Sequence, residues 1–261
     1  MAVTKPFRRT CRQFSDGSYS EGGRWLYLLH RKFAKDPQHY VRAFLLLQKD
    51  LLELFAYIEP AKCNRGAYSH RVQQLLMRAC VEIEANLTAI LIENGYGKDA
   101  GKLTMQDYRL VDRSHRLSSY EARIPEWRGA GGLRRPYAAW AKSKAELPWY
   151  GAYNKSKHNR HKFFHLATFD ALVDAMCGLA IVLSAQFYDE DYSSADKTLG
   201  IGSSYGYYTD DGMQSAIGDY LRVKFPTDWL PEDRYEFNWD DLKDLPDPFD
   251  EFNYLAPGAT R

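Results

Sequence analysis

The stretch from Tyr153 to His165, reading Tyr-Asn-Lys-Ser-Lys-His-Asn-Arg-His-Lys-Phe-Phe-His, concentrates the groups of this chain best suited to chemistry on phosphate. It carries three of the seven histidines together with Lys155, Lys157, Arg160 and Lys162, and no acid. Imidazole changes charge near neutral pH and can take or give a proton there. Lysine and arginine add positive charge that favours a phosphate-bearing partner. On a helix, at about 100° per residue, Asn154, His158, His161 and His165 fall within about 60° of one another and form one polar stripe. The same composition also describes a solvated basic helix face with no chemistry. A metal site is the third reading, because His158, His161 and His165 recur at i, i+3 and i+7. Three imidazoles of one helix rarely converge on one ion, and no nearby carboxylate completes the set, so no metal and no cofactor are expected.

The elements that would position this stretch are helical. From about Pro37 to Tyr57, Val41, Phe44, Leu45, Gln48, Leu51, Leu52 and Phe55 recur at helical spacing. A second helix runs from about Tyr68 to Asn94 and is closed by Gly95, with Val72, Leu75, Leu76, Ala79, Ile83, Leu87 and Ile90 on one face. Glu82 and Glu84 lie at the margins of that face, where a carboxylate either holds a basic group of a neighbour or points to water. After the histidine stretch, Leu172 to Phe187 is apolar nearly all round and belongs at the centre of a bundle. Thr168 can cap it as a separate element, yet nothing between Tyr153 and Thr168 forbids one continuous helix.

Between these helices, residues 96–136 break the pattern. Leu117 to Trp127 predicts a short strand or hairpin, and Gly129–Pro136 an insertion loop leading into a short helix from about Tyr137 to Ala145. Leu147 to Ala152 reads as a connector. Residues 1–22 read as a loose basic arm within an arm reaching residue 36, Ser193–Gly212 as a loop, and Ile217–Phe225 as one strand. The expected organisation is an arm over 1–36, a helical domain over 37–188 with its insertion at about 96–136, and an extension over 189–261.

Bulk composition narrows the class. Hydrophobic residues at 45% and charged residues at 26% suit a globular protein with a substantial core. No segment reads as a membrane span or signal peptide, and Cys11, Cys63, Cys80 and Cys177 lack CxxC spacing, so a reducing cytoplasm is the expected setting. The formal net charge of +1 hides an asymmetry. Ten acids against three Lys/Arg lie between Pro226 and Arg261, leaving 24 acids and 32 bases before them. A basic body of this kind suits a polyanionic partner, although the tail can also simply neutralise it.

Taken together, Arg78-Ala-Cys-Val-Glu-Ile-Glu84 on a long helix, Tyr153-Asn-Lys-Ser-Lys-His158 and the apolar helix after it resemble the HEPN superfamily. These are helical bundle domains common in prokaryotic toxin–antitoxin and antiviral systems. The resemblance covers roughly residues 37–95 and 137–188. It implies a mainly α fold, a four- or five-helix bundle carrying a small β-containing insertion and an acidic aromatic C-terminal extension. It further implies a metal-independent endoribonuclease acting as a homodimer on RNA, with an antitoxin or defence-system protein as a further partner. Family members that lack a working motif act instead as modules binding RNA or protein. The family's Arg-polar-x-x-x-His motif fits in two registers. In one, Asn154 and His158 match but Tyr153 stands where arginine is expected; in the other, Arg160, His161 and His165 satisfy the full spacing. The resemblance thus implies His158, Asn154, Arg160 and His165 as catalytic groups, and Lys155, Lys157, His161 and Lys162 as RNA-binding groups.

Overall fold

The computed structural model describes residues 2–142, 146–192 and 211–255. The described residues are mainly α, with a small antiparallel sheet. Four helices make the centre: α1 (Pro37–Phe55), α2 (His70–Glu93), α5 (Pro148–His158) and α7 (Phe169–Phe187). Short helices α3 (Met105–Tyr108), α4 (Val111–His115), α6 (Arg160–Phe163) and α8 (Trp239–Leu242) lie between and after them.

Local chemistry sets these boundaries. Pro37 opens α1, where its missing N–H is no loss. Ser69 starts α2 by accepting a hydrogen bond from the Val72 N–H at 3.2 Å, and Gly95 supplies the left-handed turn after it with φ +77°. Thr168 caps α7 in the same way, accepting from the Ala171 N–H at 3.2 Å. With 19 residues, α7 is long and apolar enough to cross a membrane, but 89% of its apolar window is buried within this protein. It is the core helix, packed against α1, α2 and α5.

The segment joining α5 to α7 departs from a continuous helix. Leu147 to Ala152 is no connector, because Pro148 takes the first helical position of α5. At the other end Asn159, with φ −142° and ψ 74°, stops α5. Its side-chain oxygen accepts from the Lys162 N–H at 3.1 Å and begins α6. One 3-10 turn, Phe164–Leu166, follows before Thr168.

The N-terminal residues are not loose. Arg9, Thr10, Cys11, Arg12 and Phe14 are all buried, because their side chains fill the space between the bundle and the C-terminal segment. The Arg9 guanidinium donates to Glu93 at 2.7 Å, to Gln186 at 3.0 Å and to the Lys35 carbonyl at 2.8 Å. Gln186 in turn donates to Asn86 at 2.9 Å, so one cation ties the ends of α2 and α7 to the residues before α1.

The insertion and the C-terminal segment share one sheet rather than forming separate appendages. β1 (Glu121–Arg123) is the short strand expected within Leu117–Trp127, but its hairpin partner β2 (Leu133–Arg134) lies in the stretch read as an insertion loop. β1 also pairs on its other side with β4 (Arg222–Lys224), which pairs with β3 (Gln214–Ser215). The single strand read over Ile217–Phe225 is therefore the turn and second strand of a hairpin. The helix expected from Tyr137 is a 3-10 turn over Ala138–Ala141, and residues 143–145 lie outside the described residues, as does most of the loop read over Ser193–Gly212.

The hairpin is fixed to α7 by charge. Arg134, almost fully buried, donates to Asp170 at 2.6 Å and to Asp174 at 3.1 Å, with its guanidinium over the Trp127 ring at 4.4 Å. Arg65 forks the same Asp170 at 2.8 and 2.6 Å. Burial raises the Asp174 carboxyl to about 6; Arg134 opposes the rise and Asp170 adds to it.

Two stability predictions follow from these buried charges. Arg9→Ala strands Glu93 and Gln186 and should lower the unfolding free energy by about 3 kcal/mol in urea denaturation, with Arg9→Lys losing less. An unchanged midpoint would remove Arg9 from its tying role. For Asp174, the folded carboxyl binds its proton more tightly than the unfolded one. Its contribution to stability therefore falls as the pH rises from about 4 to about 6. Asp174→Asn should flatten the stability–pH curve of the wild type in that window, as thermal melts would show.

Candidate nucleic-acid interface

Helix α2 presents Arg71, Gln74 and Arg78 at i, i+3 and i+7, the spacing of one helical face. Facing them is the last turn of α5 and the first residue of α6. Together they line an open groove of about 650 Å³, walled by Arg71, Gln74, Met77, Arg78, Lys157 and Arg160, with Gln73 and Ser156 in its floor. Ser156 spends its hydroxyl on the Ala152 carbonyl at 2.7 Å, so it holds the α5 backbone and is not poised as a nucleophile.

The four cations of the groove are not equivalent. Arg71 and Arg78 both reach Asp50 of α1, Arg71 at 3.4 Å, which offsets part of their charge. Lys157 donates to the Tyr153 phenol at 3.0 Å, and this bond raises the ammonium pKa, keeping the group charged. Among the described residues, Lys155, Lys157, Arg160 and Lys162 have no carboxylate partner within ion-pair distance. Tyr153, which stands at the arginine position of the first motif register, is buried beneath Lys157, and burial raises its pKa. Behind it, Tyr150 donates to Glu84 at 2.7 Å; burial first and this carboxylate second push the phenol pKa far up. Glu84 thus holds a phenol of the neighbouring helix rather than a cation, while burial raises the Glu82 carboxyl.

The residues singled out from sequence separate into two groups. Asn154, Lys155, Lys157 and His158 belong to α5, and Asn154 and His158, four residues apart, share its exposed face. Arg160, His161 and Lys162 belong to α6, and His165 to the 3-10 turn beyond it. The predicted single stripe of Asn154, His158, His161 and His165 therefore does not form, because Asn159 breaks the helix within it. All eight residues are exposed, including His165, which is no core histidine. None of the three imidazoles lines the groove. Arg71 and Gln74 were not singled out from sequence; their spacing, together with Arg78, was the available signal.

A ring cluster stands at the start of α2, where His70 directly precedes the groove residue Arg71. Phe164 lies 4.6 Å from the His70 ring at 33° and 5.6 Å from the Tyr68 ring at 87°. The arrangement provides cations for anionic oxygens, exposed imidazoles for proton transfer and rings for flat partners. No family model, no curated protein and no solved structure matches this chain.

The groove makes a direct prediction. The protein should bind heparin, a polyanion without bases, at low salt, and Lys157→Glu combined with Arg160→Glu should weaken that binding by about tenfold or more. Elution from a heparin column at unchanged salt would show that the polyanion sits elsewhere.

Proposed function

We propose that this protein is a HEPN-like RNA-binding protein that holds the phosphate backbone of RNA in the groove between α2 and α5. The observation that carries the reading is the side of the groove formed by Lys157 and Arg160, whose charges face solvent with no carboxylate partner among the described residues. Such groups bind phosphates by releasing condensed counterions, which needs no base recognition. Arg71 and Arg78 extend the positive strip across the groove.

The second reading is metal-independent cleavage of that RNA. It is favoured by Asn154 and His158, which share the face of α5 that ends beside Lys157 and Arg160, and by a His158 imidazole with no hydrogen-bond partner among the described residues. His158 would take the proton of a ribose 2′-hydroxyl. The 2′-oxygen then attacks phosphorus, the 5′-oxygen leaves with a proton from a second imidazole, and a 2′,3′-cyclic phosphate remains. Lys157 and Arg160 would stabilise the charge of the phosphorane. His161 or His165, or a histidine of a second copy in a homodimer, would act as the acid. An antitoxin or defence-system protein as controlling partner belongs to the same reading.

Binding and cleavage are tested together. With four phosphates engaged, the logarithm of RNA affinity should fall with the logarithm of salt at a slope of about −3, and Lys157→Gln with Arg160→Gln should make the slope shallower by about 1.4. A slope unchanged in that variant would refute the groove. Incubation with mixed RNA in EDTA should release cyclic-phosphate ends from wild type but not from His158→Ala; RNA bound but left intact by both would leave the binding reading alone.

A further inference from the structure

We propose that the rings of Tyr68, His70 and Phe164 form a stacking subsite for an unpaired base, so that the ligand of the groove is single-stranded rather than duplex RNA. The inference rests on the reading that the groove binds RNA.

Position connects the rings to the groove at two points. His70 immediately precedes Arg71, which lines the groove, and Phe164 directly follows α6, whose first residue Arg160 lines it too. A strand with its phosphates on Arg71 and Arg160 therefore passes the ring cluster at the same end of α2. Tyr68 keeps 52% of its surface in water although it is a large aromatic group, and His70 beside it is also exposed. The cluster is nonetheless held in place. Tyr68 is bridged to Thr168 through the backbone, and the Phe169 N–H donates to the Ala67 carbonyl at 2.7 Å. A ring fixed before binding loses little freedom when a base stacks on it.

Stacking selects strandedness. Bases of an A-form duplex are stacked on one another and offer only their edges and the sugar-phosphate surface, whereas an unpaired base offers a whole face. Aromatic platforms beside a positive groove bind single strands with little sequence preference, since every base has such a face. If the rings served only to close the start of α2, removing one would change stability without changing which polyanion is preferred.

The test compares three probes by fluorescence anisotropy or competition: 2′-O-methyl oligouridine, which cleavage through a 2′-hydroxyl cannot consume, an RNA duplex and heparin. Wild type should prefer the oligouridine to the duplex. Tyr68→Ala should bind oligouridine about tenfold more weakly with heparin and duplex unchanged, and Tyr68→Trp should restore the affinity. Oligouridine affinity unchanged in Tyr68→Ala, or an equal loss for heparin, would overturn the stacking subsite. The groove is judged separately by Lys157→Glu with Arg160→Glu, which should weaken all three probes. Retained binding there refutes the groove, and a wild type that binds none of the probes refutes both proposals.

Discussion

The buried guanidinium of Arg9 is the constraint on which the arrangement of the long helices depends. A cation taken out of water is unfavourable by several kcal/mol unless its hydrogen bonds and charge are matched. Arg9 meets a carboxylate, an amide and a carbonyl on three different parts of the chain, and it lies over the Tyr40 and Phe187 rings. These partners converge only when the ends of α2 and α7 and the start of α1 stand in one alignment. Because α5 packs against both α2 and α7, the groove at the opposite terminus of α2 inherits that alignment.

Arg12 extends the same logic with a different solution. Among the described residues it pairs with no carboxylate, and it sits among Phe7, Trp229, Tyr235 and Phe252 while donating to the carbonyls of Ser114 and Asp233. Burial lowers its pKa. The aromatic residues of the acidic tail therefore enclose an arginine of the N-terminal segment. Tail carboxylates meet the body elsewhere, Asp247 at Arg8 and Asp228 at Arg116. None of the tail's described acids pairs with the cations of residues 155–162. The charge asymmetry of the sequence is thus partly consumed in folding, and Lys157 and Arg160 at the groove are among the cations it leaves without a carboxylate partner in the described residues.

Of the four central helices, α1, α2 and α7 were legible because their signals are local, whereas the start of α5 was read as a connector. Apolar periodicity marks α1, α2 and α7, and Gly95 and Thr168 mark ends of two of them by chemistry confined to one turn. The break at Asn159 was not legible, since no proline or glycine lies between Tyr153 and Thr168. It serves distant demands: the chain must turn for Tyr68 to meet Thr168 and for Phe169 to meet Ala67. The N-terminal segment was misread as loose for a related reason, because basic composition does not reveal that Arg9 will find an amide 177 positions away or Arg12 a carbonyl 221 positions away. The sheet strands are two or three residues long, too short to show a period. Of the candidate site, the α5 cations and His158 were legible, while the α2 side of the groove needed the packing of two helices to be seen.

The uneven neutralisation of the groove bears on which chemistry it can support. Asp50 stands beside Arg71 and Arg78, whereas Lys157 and Arg160 have no carboxylate partner among the described residues, so on the RNA-binding reading a phosphate would be drawn toward the α5 side. Asn154 and His158 belong to the same helix but do not line the groove, so under the cleavage reading a strand held at Lys157 would have to extend past the groove to meet the imidazole. Cleavage would ask for more, because the leaving 5′-oxygen needs a proton donor near neutral pH and none of the three imidazoles lines the groove. His161 and His165 lie beyond the break, in the segment that carries Phe164. On the reading proposed above, a base stacked at Phe164 would bend its strand across that segment and bring the second imidazole to the scissile phosphate. A duplex, unable to splay a base there, would leave the two imidazoles on different stretches of backbone. Strand selection and catalysis would then have one structural origin, the interruption of the helix at Asn159.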